Sequence, residues 1–161
     1  MRLEYISPFI VSARDVLNFF VHSYIKSSLI VLKDSLSVSG ISITNFLSGG
    51  VEGRVVLDIE PLLAKKLANI INGTRFNRID YLTIDTICEI TNIIIGKAIT
   101  LLNDRGFSVR LSTPFFYIGE KTYNDLESLC INLTTKWGDI RIQANIQERD
   151  NTIVDRRRSY A

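Results

Sequence analysis

Histidine is nearly missing from this chain of 161 residues: His22 stands alone, and the two cysteines, Cys88 and Cys130, lie far apart. A histidine-rich metal site or a serine–histidine triad has too few members to be built, and neither cysteine has metal-ligand spacing. Cysteines used this way fit a reduced compartment, and a buried or half-buried thiol is the plain reading of Cys88. Charge of one sign is scarce as well. The net charge is +2 and only Arg156, Arg157 and Arg158 cluster, so the basic footprint that nucleic acid demands is not there. Long apolar runs are lacking: residues 93–102 come nearest and are broken by Gly96 and Lys97, well short of the roughly 18–20 residues that span a bilayer. Near the start, Arg14 and Asp15 interrupt the hydrophobic run that a secretory leader would need, so the expected location is the cytoplasm, without membrane insertion. No glycine-rich phosphate loop is found either.

What is present is apolar material. Hydrophobic residues make up 46% of the chain, which at this length provides one domain with a sizeable core. Residues 1–148 are expected to form that domain, and the charged end, 149–161, to form a loose tail.

Ser7-Pro8 has the form of a helix start, with a capping hydroxyl and a proline at the first helical position. Apolar residues then recur at helical spacing from Phe9 to Tyr24, and His22 is expected on that helix's surface. Residues 29–38 read as a strand, followed by Ser39-Gly40 as a turn, then 41–43 and, after Gly49-Gly50, 51–59, together an antiparallel meander. Pro61 opens a short helix that Asn72-Gly73 ends. A polar linker, 74–80, leads to a long helix over 82–104, which Gly106 terminates. Strands are expected at 107–112, 114–119, 127–135 and 138–148, with a hairpin turn at 136–139. The chain thus divides into two related halves, each a helix followed by strands. The alternating segment 140–146 could offer a sheet edge to another chain.

The long helix carries the chemistry. Asp85, Glu89, Asn92 and Gly96 sit at i, i+4, i+7 and i+11 and fall within about 60° of one another around a helix. Opposite them Ile84, Ile87, Ile90, Ile94, Ile95, Ala98, Leu101 and Leu102 form an apolar arc, the back of a core helix. A carboxylate in the stripe can pair with a cation, and a carboxamide can donate to one oxygen while accepting from a water. Gly96 costs about 1 kcal/mol relative to alanine inside a helix, which fits a surface that something approaches closely. On the residues alone, a solvated helix face explains the same stripe.

The spacing Asp85-x-x-x-Glu89-x-x-Asn92-x-x-x-Gly96 resembles the signature of the CheC, CheX and FliY family of bacterial chemotaxis phosphatases. The resemblance runs from about residue 5 to about residue 148 and is greatest to the CheX branch, through the short chain, the single good copy of the motif and the opening Tyr5-Ile-Ser-Pro8-Phe-Ile. It implies an α+β, CheC-like fold: two pseudo-symmetric halves, with two long helices packed on an antiparallel sheet plus a short helix. It implies a partner, the phosphorylated CheY-type response regulator, whose aspartyl phosphate is hydrolysed. Magnesium is expected in that partner's active site, and no cofactor of this chain's own. Asn92 would orient the attacking water and Glu89 would pair with the partner's lysine, while Asp85 and Gly96 would contact the partner. A homodimer through a shared β-sheet is implied too. Asp15-x-x-Asn18-x-x-x-His22 on the first helix repeats the stripe in degraded form, with Val11 where Asp85 would stand. The alternative is a non-catalytic regulator-binding or flagellar-switch scaffold module of the same fold.

Overall fold

The computed structural model describes residues 2–149. Three helices, α1 (Leu3–Val21), α2 (Pro61–Asn72) and α3 (Tyr81–Asp104), pack on one face of an eight-stranded antiparallel sheet. The strands in chain order are β1 (Lys26–Ser27), β2 (Val31–Lys33), β3 (Leu36–Val38), β4 (Ile41–Gly49), β5 (Val51–Ile59), β6 (Val109–Leu111), β7 (Phe115–Ile118), β8 (Lys121–Tyr123), β9 (Ser128–Thr135) and β10 (Gly138–Glu148). This is the α+β fold expected, with the two long helices and the short one in their places.

The sheet has an internal twofold pattern. β5 and β10 lie side by side at its centre, with Ile140 opposite Ile59 and Ile142 opposite Leu57. β4 flanks β5 and β9 flanks β10. The short strands then cross over: β1 and β2 of the first half pair with β9, and β6 and β7 of the second half pair with β4. β3 and β8, one from each half, form a separate two-stranded ribbon.

Period-2 alternation explains the layering. Val55, Leu57 and Ile59 face the helices and are fully buried, each side chain contributing roughly 1.5–3 kcal/mol by leaving water. Val56 points the other way, into a small cluster with Leu36 and Val38 of β3. Polar side chains on that second face are held by hydrogen bonds. Asp58 accepts from the backbone N–H groups of Ser39 and Gly40, both at 3.0 Å, and Gln143 donates to the Ser37 carbonyl at 2.7 Å. Buried polar groups placed so are satisfied rather than stranded.

Several boundaries differ from expectation. α1 begins at Leu3, so Pro8 lies inside it. A proline there leaves the carbonyl four residues earlier without its helical donor, and the Arg105 guanidinium fills that role, donating to the Glu4 carbonyl at 2.9 Å. α1 stops at Val21. His22 is its left-handed cap (φ 45°) rather than a helix-surface residue, and Tyr24 is exposed beyond it. The stretch 29–38 is broken into β2 and β3 and does not form one strand of a meander, because its pieces pair with β9 and with β8. β8 had no counterpart among the expected strands. The segment 140–146 is not a free edge, since β10 is hydrogen-bonded to β5 along all of it and, as far as Ala144, to β9 on its other side. Of the expected charged tail, Arg149 donates its backbone N–H to Gly50 at 3.2 Å; the remainder lies outside the described residues.

Candidate active site

α3 starts where a side chain can cap it. The Asp80 carboxylate accepts from the Thr83 backbone N–H and from its hydroxyl, each at 3.0 Å, the first of these a backbone donor that a helix start leaves open. The Thr83 backbone hydrogen bond is the largest cause that holds the Asp80 carboxyl below its ordinary range. α2 sets the helix's rotation: Asn72 at its end donates to the Thr86 hydroxyl at 2.8 Å, and Thr86 in turn donates to the Leu82 carbonyl. Thr91 is fully buried yet satisfied by its own helix, through the carbonyls of Ile87 and Cys88, both at 2.9 Å. These two threonines complete the buried back of α3 beside the isoleucines.

With the back fixed, the front is decided. Asp85, Glu89, Asn92 and Gly96 are all exposed on one face of α3, a stripe roughly 16 Å long at 1.5 Å per residue. Among the described residues, the side chains of Asp85, Glu89 and Asn92 make no hydrogen bond or ion pair. Glu89 and Asn92 are one turn apart, so their side chains project together. A Cβ placed on Gly96 would meet nothing within 4 Å. Packing within the described chain therefore does not require this glycine.

The structure also brings up residues that the sequence pattern passed over. Leu82 and Ile93, 42% and 48% exposed, sit on the Glu89 side of the stripe. A helical wheel holds the signal for Ile93, an isoleucine about 40° from Glu89 on the polar face. On the other side a groove of about 780 Å³ runs between the start of α3 and β7, lined by Ile79, Tyr81, Ile84, Asp85, Phe116 and Ile118. It joins residues more than thirty positions apart, so no local pattern could have revealed it. Cys88 is half-buried and Cys130 buried; desolvation raises both thiols, with Asp85 adding to the effect on Cys88. Cys88 lies beside a carboxylate, and at Cys130 burial outweighs the nearby cations of Lys33 and Arg141, so neither thiol is held as the reactive thiolate. On α1, Val11, Asp15 and Asn18 are exposed, and the position of His22 outside the helix breaks that second stripe. The described residues contain no cluster of three or more histidine, cysteine, aspartate or glutamate side chains able to hold a metal. No described helix is long and apolar enough to cross a membrane.

A family model described as chemotaxis phosphatase CheX matches residues 41–134, more than half of the chain and all of α3. The chain belongs to the CheX family. Solved structures agree with its fold. The CheX of a CheX–CheY–BeF3–Mg2+ complex from Borrelia burgdorferi is 27% identical, with a TM-score of 0.75 over 91% of this chain and 100% of that one. A CheC-like superfamily protein from Shewanella sp. PV-4 is 23% identical, with a TM-score of 0.80 over 91% of this chain and 99% of that one. CheX from Vibrio vulnificus is 21% identical, with a TM-score of 0.78 over 89% and 99%. Comparison with curated proteins gave no match.

Proposed function

We propose that this CheX-family chain accelerates hydrolysis of the aspartyl phosphate of a CheY-type response regulator, with Glu89 and Asn92 of α3 entering the regulator's active site. The observation that carries the reading is the pair itself: a carboxylate and a carboxamide one turn apart, exposed and uncommitted, on a helix whose back is locked in the core. Phosphoryl transfer needs in-line attack with little covalent chemistry, so placing one water and arranging charge can carry much of the rate. Asn92 holds the attacking water in line with the scissile P–O bond. Its amide suits the task because it hydrogen-bonds without bringing negative charge toward an anionic phosphoryl group. Glu89 pairs with the regulator's lysine, and the magnesium that offsets phosphoryl charge belongs to the regulator. Asp85 and Gly96 meet the surrounding surface of the partner.

The reading places residues 1–148 in one catalytic domain working in the cytoplasm as a homodimer. Since β10 is interior, the dimer must use a free end of the sheet. Both ends expose four successive apolar residues, 29–32 at β2 and 115–118 at β7, and an apolar edge that is unpaired among the described residues is a template for strand addition; β2 is the end left for it. The other end, at β7, adjoins the helix that the regulator has to reach. A binding-only scaffold is disfavoured, because a purely adhesive surface has no need of an intact glutamate and asparagine in this register.

The test is phosphate loss from a phosphorylated CheY-type receiver of the source cell. Wild type shortens the phosphate's lifetime; Asn92→Ala removes on the order of 10²-fold or more of the acceleration while still binding, and Glu89→Ala loses activity too. Binding by wild type without any change in lifetime would establish the scaffold instead.

A further inference from the structure

We propose that the groove between the start of α3 and β7 is a second docking surface for the response regulator, taking an apolar side chain of that partner whose neighbouring cation pairs with Asp85. The inference rests on the CheY-type reading above and extends it from the reacting atoms to the rest of the footprint.

Area makes a second surface necessary. A stable protein–protein contact covers about 800 Å² on each partner, with some 20–30 residues a side, whereas the stripe offers three side chains and a glycine. The partner has to rest on what flanks the helix. On the Glu89 side it meets Leu82 and Ile93. On the Asn92 side it meets the groove, whose Tyr81, Phe116 and Ile118 are 86%, 59% and 46% exposed. Contiguous exposed apolar surface of this kind marks an interaction site.

Charge selects the occupant. Arg78 and Asp80 lie 3.9 Å apart at the groove's rim, and Asp80 is further occupied by Thr83. Asp85 has no ion pair among the described residues and is shared by groove and stripe. With Arg78 and Asp80 offsetting one another, the net charge of the groove is that of the Asp85 carboxylate, at the end nearest the reacting centre, where it fits a partner cation. A second copy of this chain fits less well. Strand addition would use the backbone edge of β7, in the plane of the sheet, whereas Phe116 and Ile118, two residues apart, both point out of that plane toward α3.

The experiment uses the full chain and a CheY-type receiver of the source cell activated with beryllofluoride and magnesium, with Kd measured alongside saturation kinetics on the phosphorylated form. Phe116→Ser and Tyr81→Ala raise Kd and KM by about tenfold, as loss of an interface anchor does, and the loss falls in KM rather than kcat. Their melting temperatures stay near that of wild type, because both positions are exposed. Asp85→Asn raises Kd and flattens its dependence on salt. Asn92→Ala shows the opposite split, with kcat lost and Kd kept, so the two readings fail separately. Unchanged Kd in both Phe116→Ser and Tyr81→Ala overturns the groove while an active wild type upholds the catalytic reading. A wild type that binds no receiver overturns both. A Phe116→Ser chain that turns from dimer to monomer at unchanged Kd gives the groove to a second copy and ends the proposal.

Discussion

Gly96 separates stability from recognition at a single position. Nothing in the described chain lies where its Cβ would go, so Gly96→Ala should gain the helix propensity that glycine forgoes, about 1 kcal/mol, visible as a higher urea midpoint. Gly96→Leu should stay folded and weaken binding of the regulator, as measured by titration. Cysteine chemistry is decided by burial in the same way. Desolvation, and for Cys88 also Asp85, raises the thiols, and the thiolate is the reactive form. Native protein should therefore react slowly with iodoacetamide at pH 7 and faster only above the ordinary thiol value of about 8.5, whereas unfolded chain reacts sooner; rapid labelling of Cys88 at neutral pH would contradict this.

At the level of elements, α3 is held at its start by Asp80 and at its end through Arg105. The folded state lowers the Asp80 carboxyl, chiefly through the Thr83 backbone hydrogen bond. Its contribution is then fully present above the ordinary aspartate value of about 3.9 and is lost as pH falls through the lowered one. Melting temperature recorded from about pH 5 down to about pH 3 should fall more steeply for wild type than for Asp80→Asn, which keeps an acceptor without the titration. Arg105 serves the carbonyl that Pro8 leaves without a donor. Arg105→Ala should cost roughly 1 kcal/mol. In a Pro8→Ala background it should cost less, since the helix then supplies the missing donor, and a double-mutant cycle by urea unfolding measures that coupling.

For the whole molecule, the crossing of short strands ties the halves into one folding unit. β1 and β2 need β9, β6 and β7 need β4, and β3 needs β8. Residues 1–73 and 74–149 expressed separately should each be unfolded by circular dichroism, because each exposes one side of the β5–β10 seam and lacks partners for its short strands; a cooperative melt from either alone would show that the halves are independent. For the proposed dimer, Val31→Lys on β2 should give a monomeric mass by sedimentation while dephosphorylation persists, since β2 is at the end of the sheet away from β7.

Residue order was enough to place α2, the β4–β5 pair and α3, because caps, turn glycines and periodicity are local signals: Pro61 and Gly73 bracket one helix, and Gly49-Gly50 separates two strands. It was also enough to put Asp85, Glu89, Asn92 and Gly96 on one face, since four residues on a helix keep their relative directions wherever the helix packs. Tertiary structure alone decided what that face looks onto. Pairing across the halves made β10 interior and broke 29–38 into pieces, and a guanidinium about a hundred residues away let α1 continue through Pro8. The groove beside the stripe belongs to the same class, because Tyr81 and Phe116 become neighbours only when β7 crosses to the edge of β4. Contacts between distant segments depend on how strands are shared between the halves, and no local pattern of residues encodes that sharing.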